Sequence, residues 1–158
     1  MPLGARSLLV SILNGELMKS SLIVVIERLQ QAQNARDIEA FLACIAPDYQ
    51  SDQPLHPDRG FQGPDQVRKN WSTIFHDIPD FHSELLRSAV EGDIAWAEWH
   101  WSGTRRDGTR FDLRGVTIFS IQADRIRWGR LYMEPVQEAG AGIDIAVKNI
   151  TQGSPQER

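Results

Sequence analysis

The run from Phe81 to Val136 constrains the fold more than any other part of the sequence. Three turn signals, "EGD", "RRDGT" and "QADR", divide it into four segments rich in β-branched and aromatic residues. These are about Phe81–Glu91, Ile94–Thr104, Thr109–Ile121 and Arg125–Met133. Connections this short join antiparallel neighbours, so a four-stranded meander is expected. Upstream, the period changes. From Ser20 to about Ile45 the apolar residues Leu22, Val25, Ile26, Leu29 and Ala32 recur at three- and four-residue steps, with Ser20 or Ser21 as the cap. Asp37 can cap a second helix whose stripe is Ile38, Phe41, Leu42 and Ile45, ended by Pro47. "DYQS" reads as a short strand. A third helix starts at Pro64, buries Val67, Trp71, Ile74 and Phe75, and stops at Pro79. Helices first and strands afterwards make an α+β fold, a curved sheet wrapped over helices.

The chain divides into a leader at 1–19, expected to be poorly ordered, one domain at 20–137, and a Gly-, Gln- and Ala-rich tail at 138–158. Arg6 followed by "SLLVSIL" imitates a signal peptide, but the apolar part is short and one charge precedes it. No uninterrupted apolar run reaches membrane length, so no membrane partner is expected. A net charge of -4 gives no footprint for nucleic acid. The single cysteine, Cys44, excludes an intrachain disulfide and suits a reducing cytoplasm. With no basic neighbour in sequence, it reads as a buried, inert thiol.

Alternation assigns side chains to faces. On the second long strand Trp96, Glu98, His100 and Ser102 oppose Ala95, Ala97, Trp99 and Trp101. On the third, Asp112, Arg114, Val116, Ile118 and Ser120 oppose Phe111, Leu113, Gly115, Thr117, Phe119 and Ile121. On the fourth, Ile126, Trp128, Arg130, Tyr132 and Glu134 oppose Arg127, Gly129, Leu131 and Met133. Both faces carry large aromatics, so two accounts fit. Either Glu98 and His100 lie on a solvated outer face over a core holding Trp99 and Trp101, or they line an internal cavity.

The order of elements, with "PDYQSDQPLHPDRGFQGPDQVRKNW", "FHDIPDFHSEL" and "RLYMEP", resembles the SnoaL-like polyketide cyclase and limonene epoxide hydrolase branch of the nuclear transport factor 2-like superfamily. The resemblance covers about Leu22 to Val136. It implies a cone-shaped curved antiparallel sheet on N-terminal helices, a cystatin-like α+β barrel with an apolar pocket. It also implies a homodimer through the outer sheet face. Carried onto this chain, it makes Glu134 the acid at the end of the last strand, in the setting Arg130-Leu131-Tyr132-Met133-Glu134. It puts Glu98 and His100 where the epoxide hydrolase type has an arginine and an aspartate, so epoxide hydrolysis is disfavoured. Tyr49 matches a water-holding tyrosine, and Ser51 stands near the place of an amide. In this frame Glu98, His100 and Glu134 face the cavity, and Trp99 and Trp101 form the dimer interface.

The resulting expectation is cofactor-free and metal-free acid/base chemistry on a small apolar molecule, an isomerisation or cyclisation, by Glu134 and His100 with Glu98 orienting the imidazole. Tyr132, Trp128, Tyr49, Trp96, His56 and Arg114 are the expected substrate contacts. A non-catalytic binding or dimerisation module on the same fold is the alternative.

Overall fold

The computed structural model describes residues 3–152. Helix α1 (Leu3–Ala35) carries the expected stripe: Leu22, Val25, Ile26, Leu29 and Ala32 are all buried. The segment read as a poorly ordered leader is instead helical from Leu3 onward, a continuation of α1 on which Leu8, Leu13 and Leu17 are exposed. By length and composition the stretch Arg6–Ala35 would suit a membrane crossing, contrary to the sequence expectation. Its second half, however, belongs to the core of the domain, and residues 6–19 alone would reach only roughly 20 Å as a helix. Asn34 fastens α1 to the sheet. It accepts from the Ser83 backbone N–H at 2.7 Å and donates back to the Ser83 carbonyl at 2.9 Å.

Asp37 caps α2 (Ile38–Ala43), accepting from the Ala40 N–H at 3.0 Å. The helix ends at Ala43, so Ile45 and Pro47 begin β1 (Ile45–Asp52) and do not close the helix as expected. β1 runs parallel to the last strand, and its register is irregular between Ile45 and Gln50, around Pro47, which has no N–H for a ladder. A short 3-10 turn (Pro57–Arg59) and the two-residue β2 (Phe61–Gln62) lead to α3 (Pro64–Asp77), with Pro64 in its first turn. The meander follows as β3 (His82–Glu91), β4 (Ile94–Thr104), β5 (Arg110–Gln122) and β6 (Arg125–Pro135).

The sheet order is β2-β1-β6-β5-β4-β3. It is curved and open, and the β1–β6 pairing makes it mixed. The chain ends in α4 (Ile143–Gln152), within the expected tail; it has no buried residue, and Ile143, Val147 and Ile150 on it are exposed.

Helices and sheet meet in an aromatic cluster. Trp71 of α3 lies 4.6 Å, centroid to centroid, from Phe41, 5.6 Å from Phe81 and 5.3 Å from Trp101. Trp99 is fully buried, and its indole N–H donates to the Thr117 hydroxyl at 2.8 Å. The concave face of the sheet is thus the face of Ala95, Ala97, Trp99 and Trp101. Two irregularities modify simple alternation. A shift between Ser120 and Ile121 pairs Ile121 with Ile126 and turns Ile126 inward, away from Trp128. A second shift, at Leu85–Arg87, bends β3.

Candidate functional site

A cavity of about 240 Å³ lies between the concave face and the helices. Its walls come from every layer. α1 supplies Leu29 and Gln33, α3 supplies Val67, Asn70, Trp71 and Ile74, and β4 supplies Trp99 and Trp101. Leu113, Thr117 and Phe119 of β5 and Ile126, Leu131 and Met133 of β6 close the back. Tyr49 and Ser51 enter from β1, and Gln53 and Arg59 from the following loop.

Backbone space at one position lets Tyr49 in. A Cβ on Gly129 would stand 2.6 Å from the Tyr49 hydroxyl and 3.3 Å from the Phe119 ring. Burial pushes the Tyr49 phenol up to about 12, against a smaller lowering by its hydrogen bond with Ser51. The remaining polar groups are uncharged apart from Arg59. Asn70 accepts from Gln66 at 2.7 Å through its carbonyl oxygen, which leaves its NH2 uncommitted. Thr117 already accepts from Trp99. The Gln33 carbonyl oxygen and the Trp101 indole N–H are buried without a hydrogen-bond partner among the described residues.

The expected catalytic set lies on the other face. Glu98 pairs with Arg87 at 2.7 Å. His100 has Asp112 2.9 Å from one ring nitrogen and Glu84 3.7 Å from the other. Glu134 is held by His56 at 2.7 Å, and His100, Arg114 and Glu134 stand in one row across β4, β5 and β6. None of these residues lines the cavity. The same correction applies to four expected substrate contacts. Trp96, Tyr132 and Arg114 share the convex face, as does Trp128, whose N–H donates to Asp52 at 2.9 Å and whose ring lies 4.6 Å beneath the Arg130 guanidinium. His56, expected at the rim, turns to Glu134 instead. Trp99 and Trp101, expected at a dimer interface, are cavity walls. The physical reason is a slip of one residue, which exchanges the faces of a whole strand. The inward pair two residues apart on β4 is Trp99 and Trp101, and the inward residue beside Glu134 is Met133. Of the residues expected to contact ligand, Tyr49 alone is placed in the cavity.

Five polar cavity residues escaped the sequence reading: Gln33, Gln53, Asn70, Thr117 and Arg59. Gln33 was legible in principle, because a polar residue four positions after Leu29 interrupts the buried stripe of α1. Thr117 belongs to a face of β5 without a single charge, whereas the opposite face carries Asp112 and Arg114. Gln53, Asn70 and Arg59 gave no such signal. Among the described residues, no three His, Cys, Asp or Glu side chains gather as a metal site. Cys44 is buried, and burial raises its thiol pKa, which suits the inert role expected of it.

The sequence matches the family model described as a SnoaL-like domain over residues 26–128, well over half of the chain. The chain belongs to the SnoaL-like domain family. Solved structures agree on the fold. A putative SnoaL-like polyketide cyclase from Jannaschia sp. CCS1 superposes with a TM-score of 0.64 at 16% identity, covering 87% of this chain and 96% of that one. An LEH-like epoxide hydrolase from M. tuberculosis gives a TM-score of 0.64 at 15% identity, over 73% and 84% of the two chains. A protein of ketosteroid isomerase-like fold from Catenulispora acidiphila gives 0.60 at 15% identity, over 67% and 82%. At these identities the likeness establishes the nuclear transport factor 2-like fold and nothing of the chemistry. No curated protein matches the sequence significantly.

Proposed function

We propose that this SnoaL-like protein binds a small, largely apolar molecule in the cavity between helices and sheet, without acid/base catalysis there. One observation carries the reading: among the described residues lining the cavity, none is Asp, Glu, His or Lys. Shifting a proton beside a carbonyl needs a base within hydrogen-bond reach and with a pKa near the working pH. The one ionisable oxygen in the lining with a resolved shift is the Tyr49 phenol, pushed to about 12 and therefore protonated at neutral pH. What remains is an aromatic and aliphatic container with a few hydrogen-bonding groups, the usual composition of a small-molecule pocket.

The test is a cavity-filling variant. Leu131→Trp should abolish binding of 3-phenylpropan-1-ol followed by calorimetry or native mass spectrometry. Binding of equal strength in that variant would place the site elsewhere. A second reading keeps isomerase or cyclase chemistry, supported by the carboxylate–imidazole contact of Glu134 and His56. That pair belongs to the convex face, so the reading needs a substrate bound there, and Glu134→Gln would abolish turnover.

The convex face also supports the expected homodimer, with different residues. Trp96, Val116, Ile118, Trp128 and Tyr132 form a half-buried apolar and aromatic band across β4, β5 and β6. We propose this band, in place of Trp99 and Trp101, as the contact between two copies. The single buried thiol fits the cytoplasmic setting expected from the sequence.

A further inference from the structure

We propose that the molecule taken by the cavity is a monocarboxylate, its apolar body among the tryptophans and its carboxylate held by Arg59 at the mouth. This rests on the reading of the cavity as a ligand site. Arg59 is the one charged residue among the described lining residues, and it is exposed on the 3-10 turn. It makes no ion pair with any described acid. Asp58 precedes it on the same turn without pairing with it, and Glu134, which reaches the turn, is held by His56 at 2.7 Å. The guanidinium therefore stands at the edge of an apolar cavity with its donors unspent, and guanidinium is the side chain best matched to a planar carboxylate.

The interior would also hold polar substituents on the apolar body. Its uncommitted polar atoms are mostly donors, the buried Gln33 carbonyl oxygen being an acceptor without a partner among the described residues. Asn70 has its carbonyl oxygen occupied by Gln66 and keeps its NH2. The Thr117 oxygen accepts from Trp99, leaving its own O–H to donate. The Trp101 N–H has no partner among the described residues. No carboxylate in the lining competes for these donors. A negative charge at the mouth therefore meets no competing carboxylate in the lining, whereas an ammonium group finds no counter-charge there. The whole chain bears a net charge of -4, so preference for an anion has to come from the site itself.

The experiment compares two probes of the same shape, 3-phenylpropanoate and 3-phenylpropanamide, by calorimetry on the full chain. The expected result is about five- to tenfold tighter binding of the acid, the size of a partly screened charge-assisted contact. That advantage should shrink as salt rises, while the affinity for the amide stays level. Arg59→Gln should bring the acid down to the amide, and Arg59→Lys should restore part of the difference. Arg59 is exposed and pairs with no described acid, so neither change threatens the fold. Equal affinities in the wild type, or a preference for the acid that survives Arg59→Gln, would overturn the carboxylate and leave the cavity as a site for neutral molecules. Failure of both probes to bind would remove the ligand site itself, and this inference with it.

Discussion

Replacing Thr117 by valine tests the orientation of the sheet through a single buried contact. Valine keeps the shape of threonine and deletes the hydroxyl that accepts the Trp99 N–H at 2.8 Å. Trp99 is 0% exposed and Thr117 1%, so bulk solvent does not reach the bond. A buried donor left unsatisfied costs about 1–3 kcal/mol. For a chain of this length that corresponds to a fall in Tm of roughly 2–10 °C, read by urea and thermal unfolding. The control is the Trp99→Phe background, where the N–H is already gone. There the same Thr117→Val change should cost less than about 0.5 kcal/mol or stabilise, giving a coupling energy of about 1 kcal/mol or more. A Thr117→Val effect below about 0.5 kcal/mol in both backgrounds is the behaviour of a surface pair. It would refute the placement of Trp99 inside and return Glu98 and His100 to the cavity.

Other consequences follow from the same geometry. Gly129→Ala should destabilise by about 1–3 kcal/mol because its Cβ meets the Tyr49 hydroxyl at 2.6 Å, and adding Tyr49→Phe should recover part of that loss in the same unfolding assay. The raised Tyr49 pKa favours the protonated phenol in the folded state. Its stabilisation is therefore complete below the ordinary value of 10.0 and is lost as pH rises toward about 12. Unfolding free energy measured across that window should fall more steeply for wild type than for Tyr49→Phe. Glu134→Gln and His100→Gln lie on the convex face and should leave the affinity for 3-phenylpropan-1-ol within about twofold of wild type by calorimetry. If the proposed dimer forms through the convex apolar band, Ile118→Glu, which puts a charge into it, should shift the mass in light scattering from dimer to monomer.

The sequence carried the architecture well and the site poorly, for separate reasons. Strand boundaries were legible because "EGD", "RRDGT" and "QADR" mark turns, and the structure bends the chain there with positive φ at Gly92, Gly108, Ala123 and Asp124. The Asp37 cap and the α1 stripe were legible because each depends on neighbours in sequence. The parallel β1–β6 pairing was not, since it joins residues about eighty positions apart. The choice of face was the hard step. Alternation separated the two sets on β4 and β5 correctly, but both sets contain tryptophan, so hydrophobicity alone could not choose between them. Absence of charge would have: Ala95, Ala97, Trp99 and Trp101 carry none, while the opposite set contains Glu98 and His100. Loose motifs aligned one residue out of step pointed the other way. On β6, the bulge that turns Ile126 inward leaves no mark in the sequence.

In the proposed binding mode, ligand enters on the face of Trp99 and Trp101. The five tryptophans report on it directly. Indole N–H resonances, assigned by single substitution, can be followed by 15N–1H NMR as 3-phenylpropanoate is added. Those of Trp71, Trp99 and Trp101, which line the cavity, are expected to shift, while those of Trp96 and Trp128 on the convex face stay in place. Shifts confined to Trp96 and Trp128, with the other three unmoved, would contradict the account.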